Sequence, residues 1–204
     1  MRERLRAGVA IYNAGHYHAA HDAWEAHWLE LERESDDERL LHGLIQFTAA
    51  VHHARNRNWE GCVGLAESAL DYLEGLPADY REVDLAGVRR ALSALASDPE
   101  IIERRPPPRI VLDGERPTLA DLSSEEQAIA APILADELGY AEEIVEGACE
   151  YAIADLEAGE EGSRFLALVA DFLAEDDHRG IVYDRLRGHV ERREAKERDV
   201  EGLF

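Results

Sequence analysis

Apolar side chains recur at steps of three and four residues in every long segment of this chain, and a two-residue alternation is sustained nowhere. Such spacing gathers apolar groups on one face of a helix, whereas a half-buried strand needs strict alternation. Leu85, Val88, Leu92 and Leu95 form one stripe, and Phe165, Leu168 and Phe172 another. A composition rich in Ala, Leu and Glu favours the same state. The pattern predicts an all-α protein: a helical bundle with an additional acidic helical segment at its C-terminal end.

Punctuation residues divide the chain. The spacing predicts helices over about residues 3–13 and 17–34. Ser35-Asp36-Asp37-Glu38 has the capping-box pattern, with Ser35 capping and Glu38 reaching back, so a third helix follows to about His53. Asn58 is expected to cap a fourth carrying Leu65, Ala69, Tyr72 and Leu73, and the Leu85 stripe closes at Asp98-Pro99. Pro106-Pro107-Pro108 and Asp113-Gly114 then break the pattern. The expected organisation is a bundle over residues 1–98, a Pro-rich linker over 99–118 and an acidic helical segment or second subdomain over 119–204. In the last, Ser123 or Ser124 starts a helix that Pro132 is expected to interrupt.

Charge constrains the partners. The formal net charge is −22, Lys196 is the only lysine among 22 basic residues, and residues 119–163 contain none. Such a surface repels phosphate backbones and anionic lipid, so neither nucleic acid nor membrane is expected as a partner. No stretch has the uninterrupted apolar length of a membrane span, and the first six residues lack the apolar core of a secretion signal. Cys62 and Cys149 suit buried positions in a reducing cytoplasm better than a disulfide framework. Apolar residues run through the acidic segment, so it reads as a folded domain with an acidic coat, in the manner of halophilic archaea. Salt would screen its self-repulsion, the Debye length being about 3 Å at 1 M.

Chemistry concentrates in the first sixty residues. Steps of four and three place Tyr17, His21, Trp24, Trp28 and Leu31 on one helical face, with Glu25 a turn beyond His21. An ionisable pair on an aromatic face must be hydrogen-bonded, ion-paired or ligated. His42, Gln46 and His53 share a face of the next helix, and a short connection favours antiparallel packing. His21, Glu25, Gln46 and His53 are therefore expected to form one buried constellation walled by Trp24 and Trp28. Asp22 should diverge from His21 by about 100° of helical turn and act only as an outer partner. His27 lies off the stripe and is expected in solvent. His16 and His18 suit surface positions, and Glu175 and His178 form a single copy of a di-iron spacing that bundles need twice.

These coupled motifs resemble the family known as domain of unknown function 309. The resemblance spans about residues 11–73 and rests on Asn13, Gly15, His21, Asp22, Glu25, Trp28, Gly43, Leu44, Ile45, Gln46, His53 and Asn58. Asp22 stands where the family usually has glutamate, Arg57 where it has a turn glycine and Cys62 where alanine is common. The resemblance implies a compact all-helical domain and brings no activity with it.

Two functional readings follow. In the first, imidazole donates to carboxylate, Gln46 fills the remaining donors and acceptors, and the protein is a structural or protein-interaction module, alone or as a homo-oligomer. In the second, His21, Glu25 and His53 bind a divalent metal in a metal-binding domain or metal-dependent enzyme. The chain has no zinc-protease histidine pair, phosphate-binding glycine loop or serine elbow, which favours the first. The network reading expects His21→Ala to cost roughly 1–3 kcal/mol by stranding Glu25 in an apolar setting.

Overall fold

A computed structural model describes residues 1–160, 162–174 and 177–201. Those residues form ten α-helices, and pairing of extended backbone among them is confined to two isolated bridges, Val83 with Leu112 and Leu112 with Glu115. The protein is all-α. It divides into two compact units, Met1–Thr118 and Leu119–Phe204. No helix among the described residues is long and apolar enough to cross a membrane.

The first unit contains α1 (Arg2–Asn13), α2 (Tyr17–Trp28), α3 (Asp36–Arg55), α4 (Trp59–Leu73), α5 (Leu85–Ser97) and the single turn α6 (Ile101–Arg104). Each helix from α1 to α5 packs on the next, so α3 lies between α2 and α4. It buries Leu40, Leu41, Leu44, Phe47 and Val51. Two glycines allow the tightest approaches. A methyl group at Gly43 would meet Leu73 Cγ at 2.5 Å, and one at Gly8 would overlap the Trp24 indole. That indole lies against α1 with no exposed surface, its Nε1–H donating to the Arg4 carbonyl at 3.1 Å.

The helix expected over residues 17–34 stops at Trp28. Glu30 and Leu31 make tighter turns onto His27 and Trp28, and Glu34 adopts a positive φ of 64°. The cap explains this: Ser35 must be extended for its hydroxyl to accept from Glu38 N–H, so the chain has to leave the preceding helix first. Arg57, where the resembling family has glycine, also takes a left-handed φ of 58°, and its guanidinium pairs with Glu103 at 2.8 Å.

Residues 99–118 belong to the first unit. The Asn13 side-chain amide donates to the Ile110 and Pro117 carbonyls at 3.0 Å each, and its oxygen accepts from Ile110 N–H at 2.8 Å. Tyr12 adds a hydrogen bond to the Pro108 carbonyl at 3.1 Å. Prolines leave residues 106–117 without helical hydrogen bonding, and Asn13 supplies partners for their backbone instead.

The second unit packs α7 (Ser124–Glu137), α8 (Glu142–Glu157), α9 (Arg164–Ala174) and α10 (Arg179–Glu201) around Leu134, Phe172 and Leu186. Ser123 and Glu126 complete a reciprocal capping box. Pro132 does not interrupt α7, contrary to expectation: it is buried within the continuous helix, where packing offsets the one backbone bond it removes. Cys62 and Cys149 are both buried and free, and burial pushes the Cys149 thiol up to about 12.

Candidate functional site

The acidic side chains of the second and third turns of α2 converge on His21. Its Nδ1 lies 2.9 Å from Asp22 Oδ1, and its Nε2 lies 3.9 Å from Glu25 Oε1. His21, Asp22 and Glu25 each present a potential ligand atom within 4.8 Å of the others. Asp22 is thus a direct partner, contrary to the expected divergence. Adjacent Cβ atoms do splay apart, but Nδ1 sits close to the histidine's own backbone, where a short neighbouring carboxylate reaches it. His18, exposed, places Nδ1 3.8 Å from the other Asp22 oxygen.

This group is a rim, not an interior. The side chains of His21, Asp22 and Glu25 are 30%, 42% and 47% exposed. Glu25 is therefore not set among apolar groups as expected, and the cost of stranding it falls accordingly. The hydrogen bond to Asp22 raises the His21 pKa above its ordinary value; burial opposes this, and the charges of Glu25 and Asp22 add to it.

The other expected members find different partners. Gln46 Nε2 lies 3.4 Å from His42 Nε2. His53 Nδ1 accepts from Asn58 Nδ2 at 2.6 Å, while Asn58 Oδ1 caps Gly61 N–H, so this histidine helps build the turn into α4. Its ring neighbour is His52 at 6.1 Å, which in turn meets His18 at 5.6 Å. Trp24 packs on α1. Trp28 serves a separate group: its Nε1–H donates to Glu38 Oε1 at 2.8 Å, and its ring lies 4.6 Å from that of His42.

That separate group is the one sequence reasoning missed. Glu38, His42 and Gln46 follow one another at four-residue steps along α3, so a His–Glu–Gln row exists, but on one helix. The His42 ring stacks on Tyr72 at 3.7 Å, and its side chain and that of Glu38 are only 17% and 13% exposed. His42 Nδ1 faces Glu38 Oε1 at 3.4 Å yet is buried without a hydrogen bond among the described residues. Glu38 does not reach back to cap α3 because the Trp28 indole holds its carboxylate. The four-residue step from Glu38 to His42 was the available signal.

Two lesser expectations also change. His27 is not in solvent: it is 20% exposed, with Nδ1 3.7 Å from Glu30 and a buried Nε2 that makes no hydrogen bond among the described residues. Of the sequence from Glu175 to His178, Glu175 and Asp176 lie outside the described residues.

Comparison with curated proteins finds no match to this chain. Residues 5–65, running from α1 to the first half of α4 and holding His21, Asp22, Glu25, Glu38 and His42, match the family described as Domain of unknown function (DUF309), and the chain is similar to that family over this stretch.

Proposed function

We propose that the first unit is a helical module that holds a divalent transition-metal ion on the rim of α2. His21 Nε2 and Glu25 are the ligands, and Asp22 orients the imidazole. The observation that carries this reading is the mutual approach of the three ligand atoms within 4.8 Å. A carboxylate only accepts, so the 2.9 Å contact puts the ring proton on Nδ1 and the lone pair on Nε2, toward Glu25. Carboxylate, imidazole and metal in that order is a recurrent arrangement for fixing a ligand's tautomer. Nitrogen and oxygen atoms 3.9 Å apart can both reach one ion at about 2.0–2.2 Å with modest side-chain movement. Glu25 lies in the last turn of α2, where the helix dipole disfavours negative charge, so a cation there offsets two sources of repulsion.

Two protein ligands leave coordination positions for water or for a donor from another protein or a second copy, so the metal reading and the interaction-module reading meet here. The net charge of −22 supports a high-salt setting and argues against nucleic acid as that partner.

Calorimetric titration of metal-free protein with Co2+ or Zn2+ in 1 M KCl tests the reading. One ion should bind, His21→Ala and Glu25→Gln should abolish the binding, and His53→Ala should leave it intact. Equal heats for wild type and His21→Ala would reduce the rim to an ordinary surface ion pair.

A further inference from the structure

A second feature of the first unit points to a ligand of different chemistry. The end of α2, the start of α3 and the end of α4 enclose a cavity of about 460 Å³. Trp28, Glu38, His42 and Tyr72 line it, with Glu34 at its edge. A second cavity of about 370 Å³ is also lined by Glu34, Glu38 and Tyr72 and adds Asp71, so the two form one cleft. Its size suits a small organic molecule or one long side chain.

We infer that this cleft binds an organic cation, a primary ammonium or guanidinium group, at the Glu38 carboxylate and against the Trp28 and Tyr72 rings, which flank His42 and line the cavity. Aromatic faces carry negative potential and attract cations within about 6 Å, tryptophan most strongly. Glu38 Oε1 accepts from the Trp28 indole, but Oε2 has no hydrogen-bond partner among the described residues. A half-buried carboxylate with one open oxygen beside stacked rings favours a donor that is both charged and apolar-stemmed.

Charge around the cleft agrees. Glu34, Glu38 and Asp71 face it, against Arg33 and Arg39, and Arg39 is already committed to Asp36 and the Glu74 carbonyl. The acids do not converge as metal ligands: among the described residues, only His21, Asp22 and Glu25 do so. A metal ion would therefore choose the rim, and an organic cation the cleft. The aromatic walls also supply short-range attraction that molar salt leaves in place, unlike diffuse attraction to the acidic surface.

The test is titration of the whole protein with butylammonium, butylguanidinium and neutral 1-butanol in 1 M KCl, followed by the Trp28 indole resonance and by calorimetry. The cations should bind at least about tenfold more tightly than 1-butanol. Glu38→Gln, which keeps an acceptor for the indole, should weaken the cations about tenfold, and Tyr72→Leu should weaken them severalfold. His21→Ala should change nothing. If Glu38→Gln perturbs folding, the exposed-side pair Glu34→Gln/Asp71→Asn carries the same comparison, with a severalfold loss expected. A parallel arm with acetyl-lysine-amide and acetyl-arginine-amide distinguishes a protein side chain from a free amine as the source. Equal affinity for butanol and butylammonium, an unmoved Trp28 resonance, or cation binding indifferent to these variants would overturn the assignment.

Discussion

The first unit holds two acid–histidine groupings built on the same four-residue step, and they differ in almost everything else. On α2, His21 precedes Glu25, sits between two carboxylates and remains partly open to water. On α3, His42 follows Glu38, lies sandwiched between Trp28 and Tyr72 and has one carboxylate and one amide for company. Spacing makes such pairs adjacent; what packs over them decides their role. Open Nε2 geometry suits an ion from solution, whereas enclosure between rings makes His42 a wall that shapes a cavity. The dipole reinforces the division. Glu38 is in the first turn of its helix, where negative charge is favoured without a cation, and Glu25 is in the last turn, where it is not.

The largest separation between the two should appear in metal affinity. His21→Ala should weaken Co2+ binding by at least about 100-fold, whereas His42→Ala should leave it within a few-fold, as read by calorimetry. Asp22→Asn, which keeps the reach but loses the charge, should fall between them, at about 10-fold. Comparable losses from His21→Ala and His42→Ala would erase the distinction.

Stability should rank the same variants in the opposite order. His42→Ala removes a stacked ring from an enclosed site and should cost about 2–4 kcal/mol by denaturant unfolding. His21→Ala disturbs only partly exposed ion pairs and should cost less than about 1 kcal/mol. Salt acts on neither pair alone but on the whole acidic coat. The thermal midpoint should climb by several degrees from dilute buffer to 2 M KCl, and a flat or falling midpoint would assign the charge another purpose.

A pH titration sharpens the picture of the rim. The folded-state pKa of His21 is raised above 6.5, so its contribution to stability is fully present below that value and fades as pH rises through the raised pKa. Imidazole NMR should show the elevated titration, and Asp22→Asn should bring it down. Protons and metal compete for Nε2, so metal uptake should weaken on acidification through the same range. The smallest effect is expected at Arg57. Replacement by glycine relieves a left-handed backbone but loses the Glu103 pair, and stability should shift by no more than about 1 kcal/mol.

Local chemistry was the legible part of this chain. Ser35 and Asn58 cap helices where their sequence context places them, and Ser123 is the one of the two adjacent serines that caps α7, because a cap depends on residues two and three positions away. The His21–Glu25 step was equally readable. What escaped depends on side-chain torsions or on distant segments. Asp22 reaches His21 through a rotamer that helical angle alone does not determine. Trp28 turns to Glu38 rather than to His21, and the early end of α2 was hidden behind an apolar Leu31 in helical register. Gly8 carried no periodic signal at all; its reason is the Trp24 indole lying across it.

The Asn13 clasp reaches 97 residues forward to Ile110 and 104 to Pro117. A chain emerging at about 5–20 residues per second makes Pro117 roughly 5 to 20 s after Asn13. Once Arg55 has been added, α1, α2 and α3 all exist as chain, but the amide at the end of α1 still waits for its partners at Ile110 and Pro117. Completion of the unit is thereby timed to translation: the helices that carry the rim and the cleft are made early, and the stretch that fastens α1 arrives last.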